Sequence, residues 1–391
     1  MKTKIFIDSD ITKAETLPAS FYKNFETFEL LKEKLFLKSW QWIGDQSIIK
    51  KNSAYPITIL ENFLTEPVLL TRSEDEKINC ISNVCSHRGN ILIDDPCKTK
   101  KIVCKYHGRR FNNKGIFEYM PEFDKTIGFP RECDNLHRFP LINWHGLLFI
   151  GLNPLFDLNQ VLNQIEERVG FLPLEKLSLK ESLSKNYEID AHWALYCDNY
   201  LEGFHVPFVH KDLDEVLDYE NYDTEIYDYF NLQVGYASGE NDCFVFPEGH
   251  IDSGKKIAAY YYWVFPNLML NVYPWGISIN IIKPQSISHT KIIFRSYVFD
   301  ESKLNLGAVV DVTDQFVRIN LKGDKIYDLF QTGSPFNFND FKGKIGSVTQ
   351  TILAKIDVII HNQNKNEVNL FVRRSFSEHL FAWMNDSASR L

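Results

Sequence analysis

No stretch of this 391-residue chain approaches the ~20 consecutive apolar residues that a membrane-spanning helix needs, so a bilayer-embedded fold is not expected. The N-terminus, Met-Lys-Thr-Lys-Ile-Phe-Ile-Asp-Ser-Asp, carries charge too early and an apolar run too short for a secretory signal, and a cytoplasmic protein is expected. Positive charge is in deficit. Lys and Arg number 43 against 51 Asp and Glu, and the net charge of -8 disfavours nonspecific attachment to nucleic acid or anionic lipid. Internal repeats and low-complexity tracts are also lacking. Cysteine is sparse, at seven, and Cys80, Cys97, Cys133, Cys197 and Cys243 follow no framework spacing, so they read as reduced thiols. Aromatic residues are abundant, with 30 Phe and 18 Tyr in a chain that is 44% hydrophobic. Such a chain can bury a large core, and its length suggests two domains.

The two remaining cysteines stand in the most informative motif. Cys85-Ser-His87-Arg88-Gly89 is followed, with sixteen residues intervening between His87 and Cys104, by Cys104-Lys-Tyr-His107-Gly108. Two Cys-His pairs of unequal internal spacing suit a two-iron, two-sulfide cluster in which one iron takes both thiolates and the other both imidazoles. A tetrahedral zinc site is the rival, since two Cys and two His can also close one. Gly89 and Gly108, close behind the histidines, favour the cluster, because a backbone without a side chain turns tightly and can present amides to bridging sulfides.

Cys85-Ser-His87-Arg88-Gly89 and Cys104-Lys-Tyr-His107-Gly108-Arg-Arg-Phe111 resemble the Rieske loops of ring-hydroxylating oxygenase large subunits. Respiratory Rieske proteins carry a further cysteine in each loop, and here Asn90 and Tyr106 hold those places. The resemblance implies an α+β chain: an N-terminal Rieske antiparallel β domain, then a helix-grip (START-like) catalytic domain with an antiparallel sheet and a long C-terminal helix.

The pattern along the chain suits that expectation. Residues 1–39 read as a helical lead-in, with Phe21, Phe25, Phe28, Leu30, Leu31, Leu35 and Phe36 at spacings compatible with an amphipathic helix. Residues 40–155 alternate short apolar runs with turn residues, as an antiparallel β domain does. A catalytic domain is expected over 156–391, with a helix bearing Leu158, Val161, Leu162, Ile165 and Val169, and a second from Trp193 to about Phe204. Strands are expected near Leu177–Ile189, Tyr260–Phe265, Leu268–Tyr273, Ile277–Lys283 and Lys291–Phe299, and helices from Leu306 onward.

Asp198-Asn199-Tyr-Leu-Glu202-Gly-Phe-His205-Val-Pro-Phe-Val-His210 packs two carboxylates and two histidines into thirteen residues. Helical spacing puts Asp198, Glu202 and His205 on one face, and Pro207 must distort the helix before His210. Two histidines and one carboxylate, with positions left open, can hold a mononuclear iron(II). Core histidines satisfied by hydrogen bonds are the bland alternative. The segment resembles the iron-binding stretch of Rieske oxygenases, which makes His205 and His210 the expected ligands. The family takes its third ligand from an aspartate on a C-terminal helix. Asp357, 147 residues past His210 within Ile352-Leu-Ala-Lys-Ile-Asp-Val-Ile-Ile, is expected there, with Asp340 in reserve. By the same likeness Glu202 bridges a cluster histidine of a neighbouring subunit to the iron site, and Asn199 orients Glu202.

The same segment, with Phe265-Pro-Asn-Leu-Met-Leu-Asn-Val-Tyr273-Pro-Trp275, resembles choline monooxygenase and its relatives, which oxidise quaternary ammonium compounds. Aromatic faces hold such cations, and Tyr260, Tyr262, Phe265, Tyr273 and Trp275 are candidates, although alternate strand residues face opposite ways. The resemblance implies one 2Fe-2S cluster and one iron(II) per subunit, a homotrimer, and a separate flavin and iron-sulfur reductase passing electrons from NAD(P)H to O2 chemistry. Aromatic-ring hydroxylation, O-demethylation, and an electron carrier or lipid-binding protein with an inactive iron site remain alternatives.

Overall fold

The computed structural model describes residues 5–205, 222–237, 243–299 and 316–391. The chain divides into two compact units, Met1–Leu306 and Gly307–Leu391, so the stretch 156–391 expected as one domain is split. Among the described residues no helix is long and apolar enough to cross a membrane.

The lead-in forms helices α1 (Ala19–Lys23) and α2 (Phe25–Lys34), the second capped by the Asn24 side chain accepting from the Thr27 amide. Phe28 and Leu31 face inward, and Phe28 meets Phe63 at 5.1 Å between ring centroids. The β region that follows holds three antiparallel sheets. A five-stranded one is built mainly on Ser53–Ile59, Glu66–Arg72 and Ile78–Ser82; Lys101–Val103, Arg110–Asn112 and Phe117–Tyr119 form a second; Trp40–Asp45, Leu141–Trp144 and Leu147–Gly151 form a third.

Helix α3 (Leu158–Val169) buries the five apolar residues expected on its inner face. It covers one side of an eight-stranded antiparallel sheet whose central strands are Phe230–Tyr236, Ile257–Val264, Leu268–Tyr273, Gly276–Ser286 and His289–Val298. The pleat sorts residues strictly. Tyr260, Tyr262, Leu270, Val272, Ile277 and Ile279 join the core under α3, whereas Met269 and Ile282 face helix α4 (Trp193–Tyr200) with Trp193, Ala194 and Cys197. A buried amide pair ties the β region to this sheet: Gln41 Nε2 donates to Asn267 Oδ1 and Asn267 Nδ2 donates back to Gln41 Oε1, each at 3.1 Å.

Gly307–Leu391 departs from the expected run of helices. It has a four-stranded antiparallel sheet in the order Phe316–Lys322, Glu367–Arg373, Ile356–Asn364, Val348–Leu353, with helices α5 (Ile326–Gln331) and α6 (Ser377–Ala388). Leu353, Val358, Ile360, Leu370, Phe330 and Leu380 belong to its own core. The apolar run Ile352–Ile360 is therefore not a helix. Ala354 and Lys355 take positive φ (52° and 66°) in a tight hairpin, Leu353 pairs with Ile356, and burial then alternates through Val358 and Ile360. A C-terminal helix is present as α6, but Asp357 lies on the preceding sheet.

Candidate active site

The two Cys-His loops are built alike. The Cys85 amide donates to the Asn90 carbonyl at 2.8 Å and the Gly89 amide to the Cys85 carbonyl at 3.0 Å; Cys104 and Arg109, Gly108 and Cys104 repeat both bonds at 2.8 and 3.0 Å. Gly89 and Gly108 adopt φ of 70° and 69°, which L side chains rarely take. Cys85 and Cys104 are buried at 3% and 2% exposure, while His87 and His107 are partly exposed with ring centroids 4.8 Å apart. The loops thus present two thiols inward and two imidazoles outward, the arrangement that a cluster with one thiolate-bound and one imidazole-bound iron requires. Among the described residues no three His, Cys, Asp or Glu side chains gather as ligands of a single ion. No disulfide joins any of the seven cysteines. Burial, with the nearby charges of His107, Arg109 and Arg88, holds His87 below the usual histidine range, which favours the neutral, ligating form.

A brace missed in the sequence joins the loops. Arg109, 3% exposed, donates to the Asp134 side chain at 2.7 Å and its carbonyl at 3.0 Å, and Ser86 in the first loop donates to the same carbonyl at 2.8 Å. The Arg109 guanidinium also lies 5.0 Å from the Phe117 ring centroid. Nothing local marks Asp134, which stands 25 positions from its partner.

The second constellation is only partly as expected. Helix α4 ends at Tyr200, with Leu201 as its C-cap, short of Phe204, so Asp198, Glu202 and His205 do not share a helical face. Asp198 instead accepts from the Tyr22 hydroxyl at 2.6 Å. Asn199 is exposed, and no hydrogen bond joins it to Glu202 among the described residues. Glu202 and His205 do come together: Glu202 Oε1 lies 2.6 Å from His205 Nδ1, and the His205 amide donates to Glu202 Oε2 at 3.3 Å. A carboxylate on Nδ1 fixes the tautomer with the proton there, the form in which the other ring nitrogen can ligate a metal. His210 lies outside the described residues.

Asp357 is exposed on its strand and carries no burial cost as an unpaired carboxylate. Asp340 is also exposed.

Of the aromatic candidates, Tyr260 and Tyr262 point away from α4. Tyr260 donates to Asp252 at 2.7 Å, within a buried group where Arg168 also binds Asp252 at 2.7 Å. Their neighbour Tyr261 has the opposite parity. Its ring stands edge-on to Tyr273 at 6.1 Å and 83°, and Tyr273 stacks on Trp275 at 5.0 Å. Phe265 lies off this group, 5.9 Å from Trp263. Polar groups line the same side: Tyr200 of α4 donates to Asn271 at 2.7 Å, and Gln233 donates to the Tyr200 carbonyl at 2.7 Å. Strand pairing puts Gln233 opposite Tyr261 and Tyr261 opposite Asn271, in one row across the sheet.

Residues 39–139 match the Rieske [2Fe-2S] domain and 177–333 the ring hydroxylating alpha subunit catalytic domain. Residues 297–390 match the sarcosine oxidase gamma subunit family, and Asp357 lies in this stretch, beyond the catalytic-domain match. The carnitine monooxygenase oxygenase subunit of Escherichia coli (strain K12) is 27% identical over 264 residues, covering 67% of this chain and 68% of the relative. Chloroplastic choline monooxygenase of Arabidopsis thaliana is 28% identical over 335 residues, 77% of this chain and 74% of the relative. A solved quaternary ammonium Rieske monooxygenase, studied for carnitine oxidation and inter-subunit electron transfer, shares the fold with a TM-score of 0.59 at 22% identity over 74% of this chain and 77% of that one. With paired cluster loops of Rieske form leading into a ring-hydroxylating catalytic domain, the chain belongs to the large subunits of the Rieske non-heme iron oxygenases.

Proposed function

We propose that this oxygenase hydroxylates a carbon bonded to the nitrogen of a small quaternary ammonium compound of the carnitine, betaine or choline type. The observation that carries this reading is the perpendicular Tyr261–Tyr273 pair, extended by Trp275, on the side of the sheet that faces α4. Two ring faces at right angles form adjoining walls for a trimethylammonium group, each contact contributing about 0.5–2 kcal/mol. The relatives named for carnitine and choline oxidation support the same class.

Bound in their sites, the 2Fe-2S cluster and iron(II) supply electron transfer and dioxygen activation. One oxygen atom enters the C–H bond; the other leaves as water with two electrons and two protons. The N–C–OH product then breaks its C–N bond, releasing an amine, a carbonyl compound and a proton. In this reading Cys85, Cys104, His87 and His107 hold the cluster. His205 and His210 hold the iron with a carboxylate from within the catalytic stretch 177–333 rather than Asp357. Glu202 keeps His205 in the ligating tautomer and faces a cluster histidine of the adjacent subunit in a homotrimer. A separate flavin and iron-sulfur reductase delivers electrons from NAD(P)H, and the protein acts in the cytoplasm.

Anaerobically purified protein, reduced chemically and given oxygen, tests the proposal. Carnitine, glycine betaine or choline is expected to raise oxygen uptake with release of an amine and an aldehyde. Tyr261→Leu should raise KM about tenfold, equivalent to one lost cation–π contact, and change kcat less. Silence towards all three compounds, with cluster and iron both loaded, would reject the substrate class.

A further inference from the structure

We infer that Tyr22, in the N-terminal lead-in, is a positioning residue for the iron site. The inference rests on His205 being an iron ligand. Tyr22 precedes residue 39, where the Rieske match begins, and yet it reaches the helix that leads to His205. Its hydroxyl donates to Asp198 Oδ2 at 2.6 Å across 176 positions of sequence. Helix α1 fully buries none of its five residues and holds on through the rings of Phe21 and Tyr22, which meet His192 edge-on at 5.6 and 5.5 Å. His192 is the N-cap of α4, its Nδ1 accepting from the Ala194 amide at 3.2 Å. The lead-in therefore grips α4 at its start, through His192, and near its end, through Asp198.

The sheet holds α4 from the other side through Tyr200, which bonds Asn271 and Gln233. Glu202 and His205 follow the last helical residue and inherit their placement from it. Asp198 is half-buried, and among the described residues no cation pairs with it; burial raises its pKa above the ordinary carboxylate value, and the Tyr22 hydroxyl is the group that opposes this. Removing the hydroxyl leaves a half-buried carboxylate that must turn outward for water, and the final turn of α4 moves with it. The second anchor on that turn would then act alone.

The test is the apparent Kd for iron(II), measured anaerobically on the full chain by chelator competition, together with the cluster spectrum and the thermal midpoint. Tyr22→Phe keeps the ring packing and is expected to weaken iron(II) binding about tenfold, the lower end of what loss of an outer-shell partner does, with the cluster spectrum unchanged. Asp198→Ala should do the same, and the double variant should be no worse than either single one, because each removes the same bond. An unchanged Kd in Tyr22→Phe, or additive losses in the double variant, would overturn the inference while leaving the site reading intact. A lower thermal midpoint at unchanged Kd would assign Tyr22 to the fold alone, again against it. Wild-type protein that binds no iron beyond its cluster would remove the reading of His205 and the inference with it.

Discussion

The cluster loops and the segment that leads to His205 are assembled on different scales. Each loop closes on itself: six residues, two backbone hydrogen bonds and one glycine at positive φ place a cysteine inside and a histidine outside. The iron segment has no such closure. Its helix stops at Tyr200, and its position is set by Tyr22, Asn271 and Gln233, which are distant in sequence and lie on other elements. Local backbone geometry travels with a short motif, whereas placement by remote side chains requires the whole fold. The loops do depend on one long-range contact, the Arg109–Asp134 brace, but it orients two finished turns rather than forming them.

The comparison can be broken most forcefully by removing one ligand from each site. Cys104→Ser should abolish the Rieske signal in electron paramagnetic resonance and all turnover, because the thiolate-bound iron is then left with Cys85 alone. His205→Ala should abolish turnover and the third iron while the cluster signal stays. Loss of both sites in either variant would show that they are not independently built.

A smaller effect concerns the anchorage of α4. Burial lowers His192 from 6.5 to about 4. Because the folded form resists protonation, the stability it contributes is fully present above pH 6.5 and declines as pH falls towards about 4, by up to ~3 kcal/mol. Thermal midpoints measured between pH 7.5 and 4 should fall, and His192→Asn, which keeps a capping side chain, should flatten that slope. An equally steep slope in the variant would move the sensitivity elsewhere.

The smallest effect expected is for Asp357→Ala. An exposed strand carboxylate should change stability by no more than ~0.5 kcal/mol and leave iron content unchanged. Loss of the third iron in this variant would restore Asp357 as a ligand.

Much of the first unit was legible. Helix α3 follows its 3.6-residue pattern, and the strands from Ile257 to Val298 follow their apolar runs and turns. The errors share a cause. In Ile352–Ile360 a two-residue hairpin at Ala354 and Lys355 lies inside an apolar run, and helical and strand periodicities are hard to separate over so few residues. In the aromatic strand, Tyr260 and Tyr261 read alike. Alternation shows that they face opposite ways, but not which one faces α4.

The amino-acid sequence by itself determined the cluster loops, the β region around them and the family, because each rests on residues within a few positions of one another. Only the tertiary structure decided that Tyr261 rather than Tyr260 shares a surface with Tyr273, that Asp198 answers to Tyr22, and that Asp357 is solvent-exposed on a sheet. Those outcomes depend on which face of an element is covered and by what, and pairing between segments far apart in the chain sets that.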